Sequence, residues 1–260
     1  MRLIDSHCHL DAPEFDGDRD AVIARAASAG VVAQIVPAVS AATFPALATL
    51  CRDRGDLFAA YGLHPMYLDQ HADSDIDAVR AALAQERAIA VGECGLDFFV
   101  AGLDPERQRA LFDAQLRLAR DFDLALILHA RRAVNEVILR LRRIGGLRGV
   151  VHSFSGSIEQ ARQLFQLGFH LGIGGPVTYE RAQRLRGLVA TMPIEFLLLE
   201  SDAPDQPNAS ARGARNEPAA IIDVAQTIAG LRGVDVADIA TATTANAIRL
   251  FRLDQFGVAA

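Results

Sequence analysis

The chain has 260 residues, of which 51% are hydrophobic, and a net charge of −6. This length suits a single α/β barrel. The acidic balance does not suggest broad electrostatic binding of nucleic acid, but it does not exclude a nuclease whose site carries its own metal cations. No apolar run is long enough to cross a membrane, and the N-terminus lacks a signal-peptide pattern.

The absence of lysine and the number of cysteines exclude several kinds of functional site. The sequence contains no lysine, which excludes a P-loop phosphate site, a Schiff-base enzyme and a metal centre bridged by carbamylated lysine. The three cysteines, Cys8, Cys51 and Cys94, are an odd number without a CxxC spacing. They argue against a disulfide scaffold and predict a cytoplasmic location.

Eight short apolar segments have the character of strands. They are mostly continuous apolar runs, as in a parallel sheet that is covered on both faces. The predicted strands are 3–9, 33–39, 57–65, 88–94, 125–130, 149–154, 169–175 and 195–202.

Helix signals lie between these segments. Asp104 and Pro105 provide an N-cap followed by proline in the first turn. Ser157 and Gln160 match a capping box, and Gly168 provides the following stop. Similar patterns predict helices over 76–85 and over 218–230, the second opened by Pro218 and closed by Gly230.

The alternation of strands and helices predicts the fold class α/β. Eight such units in one chain indicate a (β/α)8 TIM barrel that forms a single domain over residues 1–260. An open doubly wound sheet is the alternative, but no glycine-rich dinucleotide loop supports it.

Polar residues stand at the carboxyl ends of six predicted strands, which is where a barrel carries its active site. Side chains two apart in a strand share a face, so the two histidines of the first strand point the same way and Cys8 points away from them. Cys94 is also predicted to pack behind the site. The polar residues are His7, His9, His64, Glu93, His129, His152 and Asp202.

This concentration of imidazoles and carboxylates predicts a metal site, because such groups are costly to desolvate without a partner. Zinc, magnesium and manganese all suit parts of this ligand set. Six candidate ligands suffice for one or two ions. Two ions about 3.5–4 Å apart can stabilise both the attacking and the leaving oxygen of a displacement reaction. His64 is expected at the rim of the site in contact with substrate, Asp5 one layer deeper, and His71 in solvent.

Three arginines near strand ends are candidates for phosphate binding. Arg131 follows the fifth strand, and Arg212 and Arg215 belong to the long polar loop after the eighth. A guanidinium can bind phosphate through two parallel hydrogen bonds. A solvated arginine is the alternative for each.

As an ordered set, the motifs resemble the TatD family of metal-dependent hydrolases. They are IDSHCHLD, YGLHP, VGECGLDF, ILHAR, VHSFSG, LESDAP, RGARNEP and TTANAIRLF, and they run from residue 4 to residue 251. The resemblance implies a barrel of the metal-dependent hydrolase type and divalent metal ions, one or two per chain. On that pattern the metal ligands are His7, His9, Glu93, His129, His152 and Asp202. The insert DQPNASARGA departs from the family pattern.

The resemblance implies a deoxyribonuclease that cleaves phosphodiester bonds in DNA through a metal-activated water. Asp202 would orient or deprotonate that water, with Glu93 as the second catalytic residue. A metal-dependent deacylase acting on aminoacyl-tRNA and a non-catalytic nucleic-acid-binding relic of the fold are the alternatives. No membrane association and no obligate protein partner are expected.

Overall fold

A computed structural model of the protein describes residues 1–84 and 87–259. Every predicted strand overlaps an observed one, so the eight-strand prediction is confirmed. The strands are β1 (Leu3–Asp5), β2 (Val31–Pro37), β3 (Leu57–Tyr61), β4 (Ala90–Asp97), β5 (Ala125–Arg131), β6 (Gly149–Val151), β7 (Phe169–Ile173) and β8 (Leu197–Leu199).

Helices separate the strands along the chain. They are α1 (Arg19–Ser28), α2 (Phe44–Arg52), α3 (Asp75–Leu83), α4 (Pro105–Asp121), α5 (Val134–Ile144), α6 (Ile158–Gln166), α7 (Gln183–Thr191), α8 (Ile221–Arg232) and α9 (Val236–Phe251). The predicted helix 76–85 corresponds to α3, and its last residue lies outside the described residues. Within the described ranges, no helix combines the length and apolar character that a membrane crossing requires.

The strands form one sheet in sequential order, from β1 to β8. The pairs β1–β2, β3–β4, β4–β5, β5–β6 and β7–β8 are all parallel. The Ser6 amide donates a hydrogen bond to the Leu199 carbonyl at 2.9 Å, which brings the chain after β1 beside β8. The fold is therefore an α/β barrel of eight parallel strands, as the alternating pattern predicts.

By contact density the chain groups into two compact units. One contains Met1–Val36, Gly55–Leu57 and the chain from Leu171 onward, and the other contains Pro37–Arg54 and Phe58–His170. Neither unit is a continuous segment. The single domain over residues 1–260 stays a prediction.

Local signals explain several of the helix ends. The Asp104 side chain accepts a hydrogen bond from the Glu106 amide at 2.9 Å, and both bonds of the capping box between Ser157 and Gln160 are present. The predicted stop at Gly230 is wrong, because α8 continues to Arg232. Gly233, with φ of 66°, adopts the left-handed conformation that ends the helix.

Several strands end earlier than the sequence predicts. The first ends at Asp5 rather than at residue 9, the sixth at Val151, and the eighth at Leu199. The polar residues that follow them leave the sheet for loops at its carboxyl edge. Those loops, rather than the strands themselves, carry four of the predicted metal ligands, namely His7, His9, His152 and Asp202.

The contact between β4 and β5 requires a glycine. Gly95 pairs with His129 and has φ of 146°, and a Cβ built on it would overlap the backbone carbonyl of His129. We predict that Gly95→Ala lowers the free energy of unfolding by about 1–3 kcal/mol, because overpacking forces the two strands apart. Urea denaturation of the metal-free protein measures this.

Gly187→Ala is the matched control. Gly187 lies in α7, and no atom outside its own helix lies within 4 Å of a Cβ placed there. The same change should stabilise the protein by about 0.5–1 kcal/mol, since glycine costs conformational entropy in a helix. Equal destabilisation by both substitutions would contradict the role of close packing at Gly95.

Candidate metal centre

Three of the predicted ligands converge after β1 and β8, and we call His7, His9 and Asp202 the His7 cluster. The Nε2 atoms of the two histidines are 3.1 Å apart. Asp202 Oδ1 lies 3.5 Å from His7 Nε2 and 3.9 Å from His9 Nε2. Cys8 is fully buried and its thiol points to the Ile35 carbonyl, so the two imidazoles face one way and the thiol another, as predicted.

Buried hydrogen bonds fix the backbone of this cluster. Asp5 Oδ1 accepts from the amides of His7 and Ser201 at 3.2 and 2.9 Å, and Asp5 Oδ2 accepts from the Ser201 hydroxyl at 2.6 Å. Burial raises the pKa of Asp5 to about 7 despite these bonds. Gln206 Nε2 donates to Asp202 Oδ2, which leaves Oδ1 directed at the histidines.

The second group lies after β3 and β6 and within β4 and β5, and we call His64, Glu93, His129 and His152 the Glu93 cluster. Glu93 Oε1 lies 2.9 Å from His64 Nε2, 2.9 Å from His152 Nε2 and 3.2 Å from His129 Nδ1. His152 Nε2 is also 3.5 Å from His129 Nδ1. Glu93 is only 1% exposed, so these contacts replace solvent around its carboxylate.

His64 sits deeper than the sequence suggests. It is 5% exposed and contacts Glu93, so it lies among the candidate ligands, and its contact with substrate stays a prediction. Its Nδ1 accepts from the Met66 amide at 3.1 Å, which leaves Nε2 as the nitrogen that donates to Glu93. His71, expected in solvent, is also buried, and its Nε2 lies 2.9 Å from the His64 carbonyl oxygen.

Asp97 orients His129. Its Oδ2 lies 2.9 Å from His129 Nε2, and its Oδ1 accepts from the amides of Phe99 and Val100 at 2.8 and 2.9 Å. A carboxylate only accepts hydrogen bonds, so neutral His129 carries its proton on Nε2 and turns the lone pair of Nδ1 towards the cluster. Sequence reasoning missed Asp97, although its spacing of four from Glu93 places both on one face of β4.

The charges around His129 follow from these contacts. Burial raises the pKa of Asp97, but hydrogen bonds from His129 and from two backbone amides outweigh it, and the net pKa is about 2. Burial likewise lowers the pKa of His129, but its bonds to Asp97 and Glu93 raise it overall. For His64, burial dominates and lowers the pKa. An ionised Asp97 thus stands beside His129, and His64 favours the neutral form.

These donor sets fit divalent metal ions. Glu93 Oε1 and His129 Nδ1 lie 3.2 Å apart, and in the tautomer that Asp97 selects both atoms are acceptors, so a cation bound to both removes their repulsion. Ligand atoms of His7, His9 and Asp202 lie within 4.8 Å of one another, as do those of His64, Glu93 and His129. Imidazole and carboxylate donors gathered in this way suit zinc or manganese.

Left-handed backbone marks the same loops. Asp202 has φ of 57°, Ser153, next to His152, has φ of 46°, and Arg132 has φ of 55°. Residues other than glycine rarely adopt this conformation, and those that do cluster at functional sites.

The three predicted phosphate-binding arginines differ in their surroundings. Arg215 is already paired with Asp18 at 2.7 Å and with Glu217 at 3.0 Å, so a phosphate would have to displace these carboxylates. Arg212 is exposed, and no ion pair joins it to another described residue. Arg131 lies over the ring of Phe99, with 3.6 Å from its Cζ to the ring centroid.

The family model for TatD related DNase matches residues 4–252. The chain belongs to the TatD family. The metal-dependent hydrolase YjjV of Escherichia coli K12, whose activity is uncharacterised, is 44% identical over 97% of this chain and 98% of that protein. The 3′-5′ ssDNA/RNA exonuclease TatD of Erwinia tasmaniensis is 34% identical over 96% of this chain and all of that protein.

The TatD fold also matches in three dimensions. The crystal structure of the E. coli YjjV protein superposes with a TM-score of 0.93 and 42% identity, over 96% of this chain and 98% of that one. This agreement confirms the fold class and the family resemblance. Together with the buried histidine and carboxylate clusters, it identifies a metal-dependent hydrolase of the TatD family.

Asp97 provides a direct test of the metal centre. In Asp97→Asn the amide oxygen can still accept from Phe99 and Val100, but the amide nitrogen then faces His129 Nε2. The proton of His129 moves to Nδ1, which loses its lone pair. We predict that metal affinity falls about 10–100-fold, as measured by isothermal titration calorimetry with Zn²⁺ or Mn²⁺.

Asp113→Asn is the control. Asp113 lies in α4 and pairs with Arg140 at 2.7 Å, so the same amide replacement is made outside the cluster. It should leave metal affinity at the wild-type value. Unchanged affinity in Asp97→Asn, with unchanged folding by circular dichroism, would show that Asp97 does not control the His129 tautomer.

Proposed function

We propose that the protein is a metal-dependent phosphodiesterase that hydrolyses DNA. The observation that carries the proposal is the Glu93 cluster at the carboxyl edge of the sheet. There the Glu93 carboxylate contacts the imidazoles of His129 and His152, and the buried Asp97 carboxylate holds His129. The family membership supports the reaction class. One relative acts on single-stranded DNA and RNA, which makes a single strand the first substrate to test.

Each cluster would hold one divalent cation. A bound cation lowers the pKa of a water molecule and neutralises charge that develops on the phosphate. The residues proposed to hold these cations are Glu93, His129 and His152 in one cluster, and His7, His9 and Asp202 in the other.

The side chains of the site have distinct tasks in this proposal. Asp202 Oδ1, fixed by the bond from Gln206 to Oδ2, accepts the proton of the attacking water. Asp97 keeps His129 in the tautomer that presents Nδ1. His64 donates to Glu93 and holds its carboxylate in place. Contact of His64, Arg131, Arg212 or Arg215 with the substrate remains a proposal.

The location of the protein is also inferred. Cys8, Cys51 and Cys94 are buried, and no disulfide joins them. Burial raises the pKa of Cys94, which keeps that thiol protonated and unreactive. Three thiols outside any disulfide support a reducing cytoplasm.

Substitution of the two carboxylates tests the site. We predict that Glu93→Ala and Asp202→Ala each lower kcat/KM for a labelled single-stranded DNA by at least about 100-fold, because each removes a cation ligand or the proton acceptor. The assay is run with Mg²⁺, Mn²⁺ and Zn²⁺ in turn. A chelator should abolish wild-type cleavage.

Glu195→Ala is the matched control. Glu195 is exposed and precedes β8, at the end opposite Asp202, so the same change is made away from the clusters. Wild-type activity in this variant is expected. Full activity in Glu93→Ala or Asp202→Ala would contradict the assignment of that residue.

A substrate panel separates the proposed reaction from its alternatives. It contains single-stranded DNA, RNA and aminoacyl-tRNA, each with and without chelator. Chelator-sensitive release of amino acid with no strand cleavage would replace the phosphodiesterase by a deacylase. Absence of both turnover and metal binding would favour a non-catalytic protein.

A further inference from the structure

An exposed aromatic ring lies beside the Glu93 cluster with two arginines upon it. Phe99 is 46% exposed, which is unusual for a phenylalanine. The guanidinium carbon of Arg131 lies 3.6 Å from its ring centroid, and that of Arg132 lies 4.6 Å from it. Both distances are within the range of cation–π attraction, so one ring holds two positive charges together.

Neither guanidinium is neutralised. No ion pair or side-chain hydrogen bond joins Arg131 or Arg132 to another described residue. Arg148, by contrast, pairs with Asp123. A guanidinium that stacks on a ring keeps the N–H groups at its edge available, and two such groups form a strong site for a phosphate oxygen pair.

We call Phe99, Arg131 and Arg132 the platform, and hydrogen bonds and strand pairing link it to the Glu93 cluster. The Phe99 amide donates to Asp97 Oδ1, and Asp97 Oδ2 holds His129. Arg131 pairs in register with Asp97 and lies two residues after His129 in β5. Residues two apart share a face and are separated by roughly 7 Å along a strand. His129 and Arg131 are therefore neighbours on one face of β5.

We propose that Phe99, Arg131 and Arg132 bind the backbone phosphate next to the scissile one in a single-stranded nucleic acid. This proposal rests on the proposed function and adds the substrate feature that the site selects, namely a second phosphate. Two uncompensated charges here explain how a protein with a net charge of −6 binds a polyanion locally. A substrate with only one phosphate reaches the metal cluster but makes no use of the platform.

The first test compares two substrates in the metal-loaded enzyme. One is a single-stranded DNA 12-mer and the other is bis(p-nitrophenyl) phosphate, a diester without a second phosphate. In Phe99→Leu, which keeps an apolar side chain but loses the ring, and in Arg132→Ala, KM for DNA should rise about 5–50-fold more than KM for the small diester. The slope of log KM for DNA against the logarithm of the salt concentration should fall by about 0.7 in Arg132→Ala, as expected for the loss of one phosphate contact.

The controls remove similar groups from the helical layer. Arg117→Ala in α4 removes one exposed charge, and Leu139→Ala in α5 removes one exposed apolar side chain. Both should give the wild-type ratio of the two KM values. Equal shifts of both KM values in the platform variants, or no shift in either, would overturn the proposal.

A binding measurement separates failure of this proposal from failure of the proposed function. Fluorescence anisotropy of the labelled 12-mer is followed in the presence of chelator, which stops turnover. Weaker binding by Arg132→Ala than by Arg117→Ala supports the platform even if wild type cleaves no phosphodiester, and equal binding overturns it. Competition by thymidine monophosphate as strong as competition by unlabelled 12-mer would assign the platform to a free phosphate monoester instead of a strand.

Discussion

The hydrogen bond between Asp97 and His129 is the interaction on which the Glu93 cluster depends. It places the proton of His129 on Nε2 and turns Nδ1 towards Glu93 and His152. Without it, the imidazole could present either nitrogen to the cluster. The same carboxylate accepts from the amides that begin the loop after β4, so the tautomer of a metal-site histidine and the course of that loop are set by one residue.

The geometry of that bond depends in turn on how β4 and β5 pair. Gly95 opposes His129 and Asp97 opposes Arg131, and the absence of a Cβ at Gly95 lets the two strands approach. Phe99 lies in the loop that follows β4. The pairing of β4 with β5 therefore positions both the platform and the Glu93 cluster. The His7 cluster has its own support, because Asp5 ties the chain after β1 to Ser201.

The fold and the grouping of ligands could be predicted because both follow from local sequence. Apolar runs followed by a histidine or carboxylate, such as those before Glu93 and His129, predict a parallel sheet and its functional edge. Contacts that depend on strand register or on loop conformation could not be predicted. The pairing of Arg215 with Asp18 joins residues far apart in the sequence, and the burial of His64 follows from the loop after β3 folding back.

The most direct test is a crystal structure of the protein grown with Mn²⁺ or Zn²⁺ and measured at the absorption edge of the metal. The central claim is that the Glu93 cluster binds a divalent cation through His129 Nδ1 while Asp97 holds Nε2. The expected result is an anomalous peak about 2.0–2.2 Å from His129 Nδ1, with the bond to Asp97 intact. A peak bonded to His129 Nε2, or no peak at the Glu93 cluster at saturating metal, would contradict the claim.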